Sequence, residues 1–395
     1  MAQLEYGAFD ADQHYYEAED AFIRHVPADM RKRCMQWADI NGKKRLLVAG
    51  QINRFIPNPT WNPVARPGSL DDYFRGKNKD GLDVKTMFGD LDPLEQHPEY
   101  LDREARLKVM DDQGVEAAFF FPTLGVGMQQ SLAHDIEAMT AAFHGFNQWM
   151  YEDWGFGADN RIFAAPMLSL SDVDAAAREV EWALEHDARI LVMVPGPVPT
   201  EHGSVSPAWP TFDPVWSLIN DAGITVGIHG GDGGMQAYVQ NWEPTGKFQA
   251  FRSTPFQMIS THEKLISDTM AAFVCHGLYD RFPNLRIACI ENGGNWVPHL
   301  VHELELTYGK MPNEFAQNPV DAFRDHVWVS PFYEDDIPKI RDILGADHVL
   351  FGSDWPHAEG LADPTAFIHD IPGFTDEEVR KVMRDNAWEL ATPKK

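Results

Sequence analysis

AFDADQHYY, residues 8–16, is a short apolar run broken by acids and ended by an imidazole. Read as a strand, it puts Asp12 and His14, two apart, on one face. An acid and a histidine at a strand end can hold a metal ion, or can simply be a polar terminus facing water. The reading depends on what the other strands bring to the same place.

Seven further β-rich runs follow: EAAFFFP (116–122), IFAAPML (162–168), RILVMVP (189–195), ITVGIH (224–229), RIACIE (286–291), VWVSP (327–331) and HVLFGSD (348–354). Amphipathic helical patterns lie between several of them. Residues 134–154 form one. SDVDAAAREVEWALEHD (171–187) is another, with Ser171 as expected N-cap and Asp174 as the acid three positions on. A last helix starts at Thr375, with Glu378 completing a capping box. Near-continuous apolar strands alternating with helices indicate a parallel sheet covered on both faces. Eight of them predict an α/β fold of the (β/α)8 TIM-barrel type.

A chain of 395 residues exceeds the roughly 250 that such a barrel needs, so insertions are expected in one domain over 1–395. The largest, 33–100, follows strand one. Asn41-Gly42 between β-like flanks predicts a hairpin there, and the Pro- and Asn-rich stretch 53–70 reads as a long ordered loop. The long span between His229 and Arg286 predicts extra helices.

With 33 basic against 60 acidic residues, the net charge is −27. That argues against nucleic acid and anionic membrane surfaces as partners, since both call for a basic face. Three cysteines, none in a CxxC pair, fit a reducing compartment. The first residues lack a basic and then apolar leader pattern, and no apolar run nears the roughly 18 residues of a membrane span. A cytoplasmic location is expected.

In such barrels chemistry sits where strands end. Strand one ends at Asp12 and His14, strand five at His229, strand six at Glu291 and strand eight at Asp354. Alone, each could be a solvated terminus. Together, two carboxylates and two imidazoles on strands one, five and eight are oxygen and nitrogen donors suited to a divalent ion with an open position for water or substrate.

At this point the chain resembles the amidohydrolase superfamily, and within it the amidohydrolase-2 branch typified by aminocarboxymuconate-semialdehyde decarboxylase. The matching pieces are DADQH near the start, IHGG (228–231), YDRFPNLRIACIENGGNWVPHLV (279–301), FGSDWPH (351–357) and the terminal VRKVMRDNAWEL (379–390). The resemblance implies a mononuclear enzyme whose metal ligands are Asp12, His14, His229 and Asp354. Asp12 replaces the first histidine of the usual pair. The oxygen and imidazole donors themselves suit zinc first, with manganese as the other ion such a site accepts. The activity implied is decarboxylation of an aromatic or unsaturated carboxylic acid, a small-molecule substrate. Hydrolysis of a C–C, ester or amide bond is the alternative, and a non-catalytic ligand-binding barrel is a third. The branch often has a catalytic histidine where this chain has Glu291, so Glu291 and the nearby His276 are the acid–base candidates beside Asp354. His357, Trp355, Arg54 and Trp61 are expected to meet substrate from loops over the mouth. Members are often dimers, and the inserted hairpin offers a way for two copies to pair.

Overall fold

The computed structural model describes residues 4–53, 55–56, 62–157 and 159–394. Seven parallel strands run in order: β1 (Ala8–Tyr15), β2 (Val115–Pro122), β3 (Ile162–Ala164), β4 (Ile190–Met193), β5 (Thr225–His229), β6 (Arg286–Ile290) and β7 (Val327–Val329). β1 pairs with β2 and β2 with β3, while β4 to β7 pair in succession. Two junctions close the ring. Met167 bridges Val192, and the Leu168 N–H donates to the Val192 carbonyl at 2.8 Å. On the other side the eighth segment, from Val349, bridges Val329, donates from Leu350 to Val329 and accepts from Ala11 at Phe351. The result is the expected closed barrel. The helices of the intervening segments cover its outer face, so β1, β4, β5, β6 and β7 are buried at every residue. This is why their sequences run apolar without alternating.

Local expectations hold with one exception. Met35–Ile40 and Lys43–Val48 pair antiparallel around Asn41 and Gly42, whose φ values of 53° and 72° are those of the tight turn that Asn-Gly favours. Thr375 and Glu378 form the reciprocal capping box. The helix Val173–Glu185, however, is capped by Asp172, whose carboxylate accepts from the Ala175 N–H at 2.9 Å. Ser171 instead meets the Ser169 hydroxyl. The ionised acid is the stronger acceptor for an unpaired helix N–H. The insertion is more built than a loop: it carries helical turns at Asp71–Phe74 and Val84–Met87 and a small pair, Val64–Ala65 with Leu91–Asp92. Between β5 and β6 lie helices Gln236–Trp242, Pro255–Thr261, Lys264–Cys275 and Leu278–Arg281.

β1 is not a regular strand. Its register against β2 shifts between Asp10 and Gln13, so three steps on β1 face two on β2. Asp10, fully buried, occupies the gap. Its Oδ1 accepts from the N–H groups of Asp12 (3.1 Å) and Ser353 (2.9 Å), and its Oδ2 from Ser353 Oγ (2.5 Å) and Gln13 Nε2 (3.0 Å). One carboxyl group thus ties the bulge to the eighth segment. Burial raises it to about 7, against which the four donors work. A second tie is Arg106, also buried, which donates to the carbonyls of His14 (2.6 Å) and Glu99 (2.8 Å). Its guanidinium lies 4.5 Å from the centre of the Trp355 ring.

Asp10→Ala leaves several buried donors without an acceptor. It should lower unfolding stability by about 3 kcal/mol, read as the urea midpoint, with Asp10→Asn costing less.

Candidate metal centre

The ends of β1, β5, β6 and the eighth segment converge. His14 Nε2 lies 3.4 Å from Asp12 Oδ1, 3.3 Å from Asp354 Oδ1 and 3.7 Å from Glu291 Oε2. His229 Nε2 lies 3.4 Å from Asp12 Oδ1 and 3.1 Å from Glu291 Oε2. Donor atoms held about 2.1 Å from one tetrahedral or octahedral ion sit about 3.0–3.4 Å apart. Asp12 Oδ1, His14 Nε2 and His229 Nε2 are buried and have no hydrogen-bond partner. Orphaned polar atoms of this kind are costly in a protein interior unless a cation takes them as ligands. The donor set, two imidazoles and up to three carboxylates, suits a divalent ion.

The protonation chemistry agrees. Burial, reinforced by the nearby His357, brings His14 down to about 3, so it is neutral and able to ligate. Burial also lowers His229, but Glu291 and Asp12 outweigh it and raise the ring. A cation would take the place of that proton. His229 Nδ1 meets the Gly230 carbonyl at 2.9 Å, an acceptor only, which fixes the proton on Nδ1 and leaves Nε2 facing the site.

Two site residues carry strained backbone. Glu291 and Asp354 have φ of 53° and 56°, a region that ordinary side chains rarely enter. Asn292 holds the first turn by donating to the Ile228 and Ile290 carbonyls at 2.8 and 2.7 Å. Gly230 is required beside it, since a Cβ there would lie 2.4 Å from the Glu291 carbonyl. Gly352 meets the same condition against Ser330 Oγ (2.4 Å) and the Cβ of Asp12 (2.8 Å).

Beside the donors, a relay carries a proton. Thr123 Oγ1 donates to the Tyr15 carbonyl at 2.7 Å, so its oxygen must accept from His357 Nε2, 3.0 Å away. His357 Nδ1 then faces Asp354 Oδ1 at 2.7 Å, and that bond needs a second proton. Asp354 and His357 therefore share one between them. Burial raises the Asp354 carboxyl and lowers the His357 ring, which puts the shared proton on the carboxyl; a cation at Asp354 would shift it toward the imidazole.

Asp12, His14, His229, Glu291, Asp354 and His357 thus come together. His276 does not. It caps the exposed end of Lys264–Cys275, where Nδ1 meets Ser206 Oγ at 2.9 Å and the ring packs on Trp209, so the expectation that it reaches the site is corrected. The helix that carries it ends on the outer surface, before the chain turns inward to β6. Trp355 is corrected too: its indole is buried against Arg106 and Tyr100, not on the wall of the cavity. Arg54 and Trp61 lie outside the described residues. Sequence reading missed Glu359, which joins Glu291 and Asp354 in a second carboxylate group. The only signal for it was its place two residues after His357. It also missed Asp10, Arg106 and Thr123, whose roles depend on partners distant in sequence.

A cavity of about 350 Å³ opens beside the donors, with Asp12, Glu291 and Asp354 on its wall. A smaller one, about 160 Å³, lies on the side of His14 and His357, and Glu291 borders both.

A barrel with a buried His/Asp donor cluster at its strand ends is the architecture of a metal-dependent hydrolase-like enzyme class. The family model described as Amidohydrolase matches residues 10–390, and the chain belongs to that family. It is similar to the amidohydrolase map2389c of Mycobacterium avium subsp. paratuberculosis K-10, with 39% identity, coverage of 99% of both chains and a TM-score of 0.94. The dihydroxybenzoic acid decarboxylase of Polaromonas sp. JS666, solved with manganese, shares the fold at 14% identity, covering 98% of this chain and 97% of that one, TM-score 0.64. The 2-amino-3-carboxymuconate-6-semialdehyde decarboxylase of Dictyostelium discoideum is 23% identical over 164 residues, which is 40% of this chain. The match spans 45% of that relative's length, under half.

Stripping divalent ions should lower the thermal midpoint. Adding zinc or manganese back at a hundredfold excess over Kd should restore about 2.7 kcal/mol. His229→Ala should abolish the difference between stripped and loaded protein in a calorimetric scan.

Proposed function

We propose that the protein is a mononuclear divalent-metal-dependent decarboxylase acting on an aromatic or unsaturated carboxylic acid. Asp12, His14, His229 and Asp354 hold the ion in this reading. Zinc is the first expectation for this donor set, and the manganese of the Polaromonas enzyme marks the alternative. The carrying observation is the set of buried donor atoms without partners, placed beside a cavity and an acid that faces it. The decarboxylase names of the similar proteins support the choice of reaction.

A bound divalent ion would supply Lewis-acid polarisation of the substrate's oxygens. The chain's own residues then have two tasks. One is to hold the acid group with its scissile bond facing the cavity. The other is to place a proton on the carbon that keeps the bonding electrons as CO2 leaves. Glu291 is suited to the second. Burial, and the carboxylates of Asp354, Asp12 and Glu359, push its carboxyl upward, while His229 pulls it down. The Asp354–His357 pair can resupply a proton from the smaller cavity.

Glu291 also favours a second reading, since a carboxylate 3.1 Å from His229 Nε2 could act as base in hydrolysis. The two differ in product. A cytoplasmic location fits three free cysteines, and no helix among the described residues is long and apolar enough to cross a membrane.

CO2 should be released from a panel of aryl and muconate-type acids, with no oxygen from labelled water in the organic product. Labelled oxygen there would establish hydrolysis instead. A loaded protein that yields neither product would be a binding barrel. Glu291→Gln should keep its metal, measured by elemental analysis, and lose about 100-fold in kcat.

A further inference from the structure

The larger cavity is dressed for one kind of molecule. Its wall carries Tyr73, Phe74 and Val84 from the insertion after β1, Phe248 and Phe251 from the long span after β5, and Phe332 from the short loop after β7. At about 350 Å³ it falls within the ~300–1,000 Å³ of pockets that enclose drug-sized ligands, more than a single-ring acid fills. The charged side chains on the wall are all acidic: Asp12, Glu291, Glu334, Asp354 and Glu359. Asp12 and Asp354 would balance the two charges of one divalent ion. Glu291, Glu334 and Glu359 remain, and neither ionised nor protonated do they offer positive charge. Among the described residues the wall carries no Lys or Arg. The imidazole it does carry, His262, is lowered by burial and so stays neutral. Arg75, which follows the wall residue Phe74, is spent on Asp370 and Asp71 and lies over the Tyr333 ring.

We propose that the substrate is a bulky, largely apolar acid of two or more fused or linked rings, or an equivalent hydrocarbon frame, carrying a single anionic group. This inference rests on the reading of the centre as one that takes a carboxylate. That group goes to the metal; the frame fills the aromatic cavity. A second anionic group would meet a wall whose charged groups, among the described residues, are all carboxyl groups. Neutral hydroxyl or carbonyl oxygens are tolerated, since His262 can hydrogen-bond them.

The test uses the metal-loaded full chain and calorimetric titration with benzoate, 2-naphthoate and 2,6-naphthalenedicarboxylate. 2-Naphthoate should bind at least about tenfold more tightly than either of the others. Met258 is part-exposed on the cavity wall, so Met258→Arg should fold. It should raise affinity for the dicarboxylate by about tenfold and leave benzoate unchanged. Equal or tighter binding of the dicarboxylate or of benzoate by the unaltered protein overturns the proposal, as does failure of 2-naphthoate to bind. Binding is read without turnover. A tightly bound naphthoate that releases no CO2 would therefore defeat the decarboxylase reading alone. CO2 released preferentially from dicarboxylates would defeat this inference alone.

Discussion

The structure turns on a few buried polar atoms that face one another without hydrogen bonds. Asp12 Oδ1, His14 Nε2 and His229 Nε2 are withdrawn from water at the end of the barrel and point inward. Such an arrangement is unfavourable by itself and becomes favourable when a cation occupies its centre. Much of the surrounding architecture serves to hold these atoms there. Asp10 pins the β1 bulge to Ser353, Arg106 takes the His14 carbonyl, and Gly230 fixes the tautomer of His229.

Positioning costs backbone strain. Glu291 and Asp354 both adopt left-handed conformations, and each is the residue that turns its carboxylate into the site. Close glycines are the complement: a Cβ at Gly230 would strike the carbonyl of the strained Glu291 turn, and one at Gly352 would strike Ser330 and Asp12. The motifs IHGG and FGSD thus carry two kinds of information. The polar residue supplies chemistry, and the glycine beside it supplies space for a neighbouring strand's turn.

The two cavities give the centre a direction. Glu291 stands between them, with an aromatic chamber on one side and the His357–Thr123 relay on the other. Insertions after β1 and β5 add aromatic side chains to the strand-end walls of the larger chamber, which is how one scaffold acquires different substrates without moving its metal donors.

The strands and the donor residues were legible in the sequence, because a parallel barrel needs runs of buried apolar residues and puts its chemistry at their ends. The hairpin at Asn41-Gly42 and the capping box at Thr375 were legible too, being local. His276 and Trp355 were misread for a common reason: closeness in sequence to a motif does not say which way a helix end or a loop side chain turns. Glu359, Thr123, Asp10 and Arg106 were invisible because their partners lie far along the chain, as with Asp10 and Ser353. Sequence alone determined the barrel, its family and the donor types, all of which follow from periodicity and short motifs. Only the tertiary structure decided which polar groups share a proton, which face the cavity and which merely pack, since those depend on distances of a few ångströms between segments that meet only on folding.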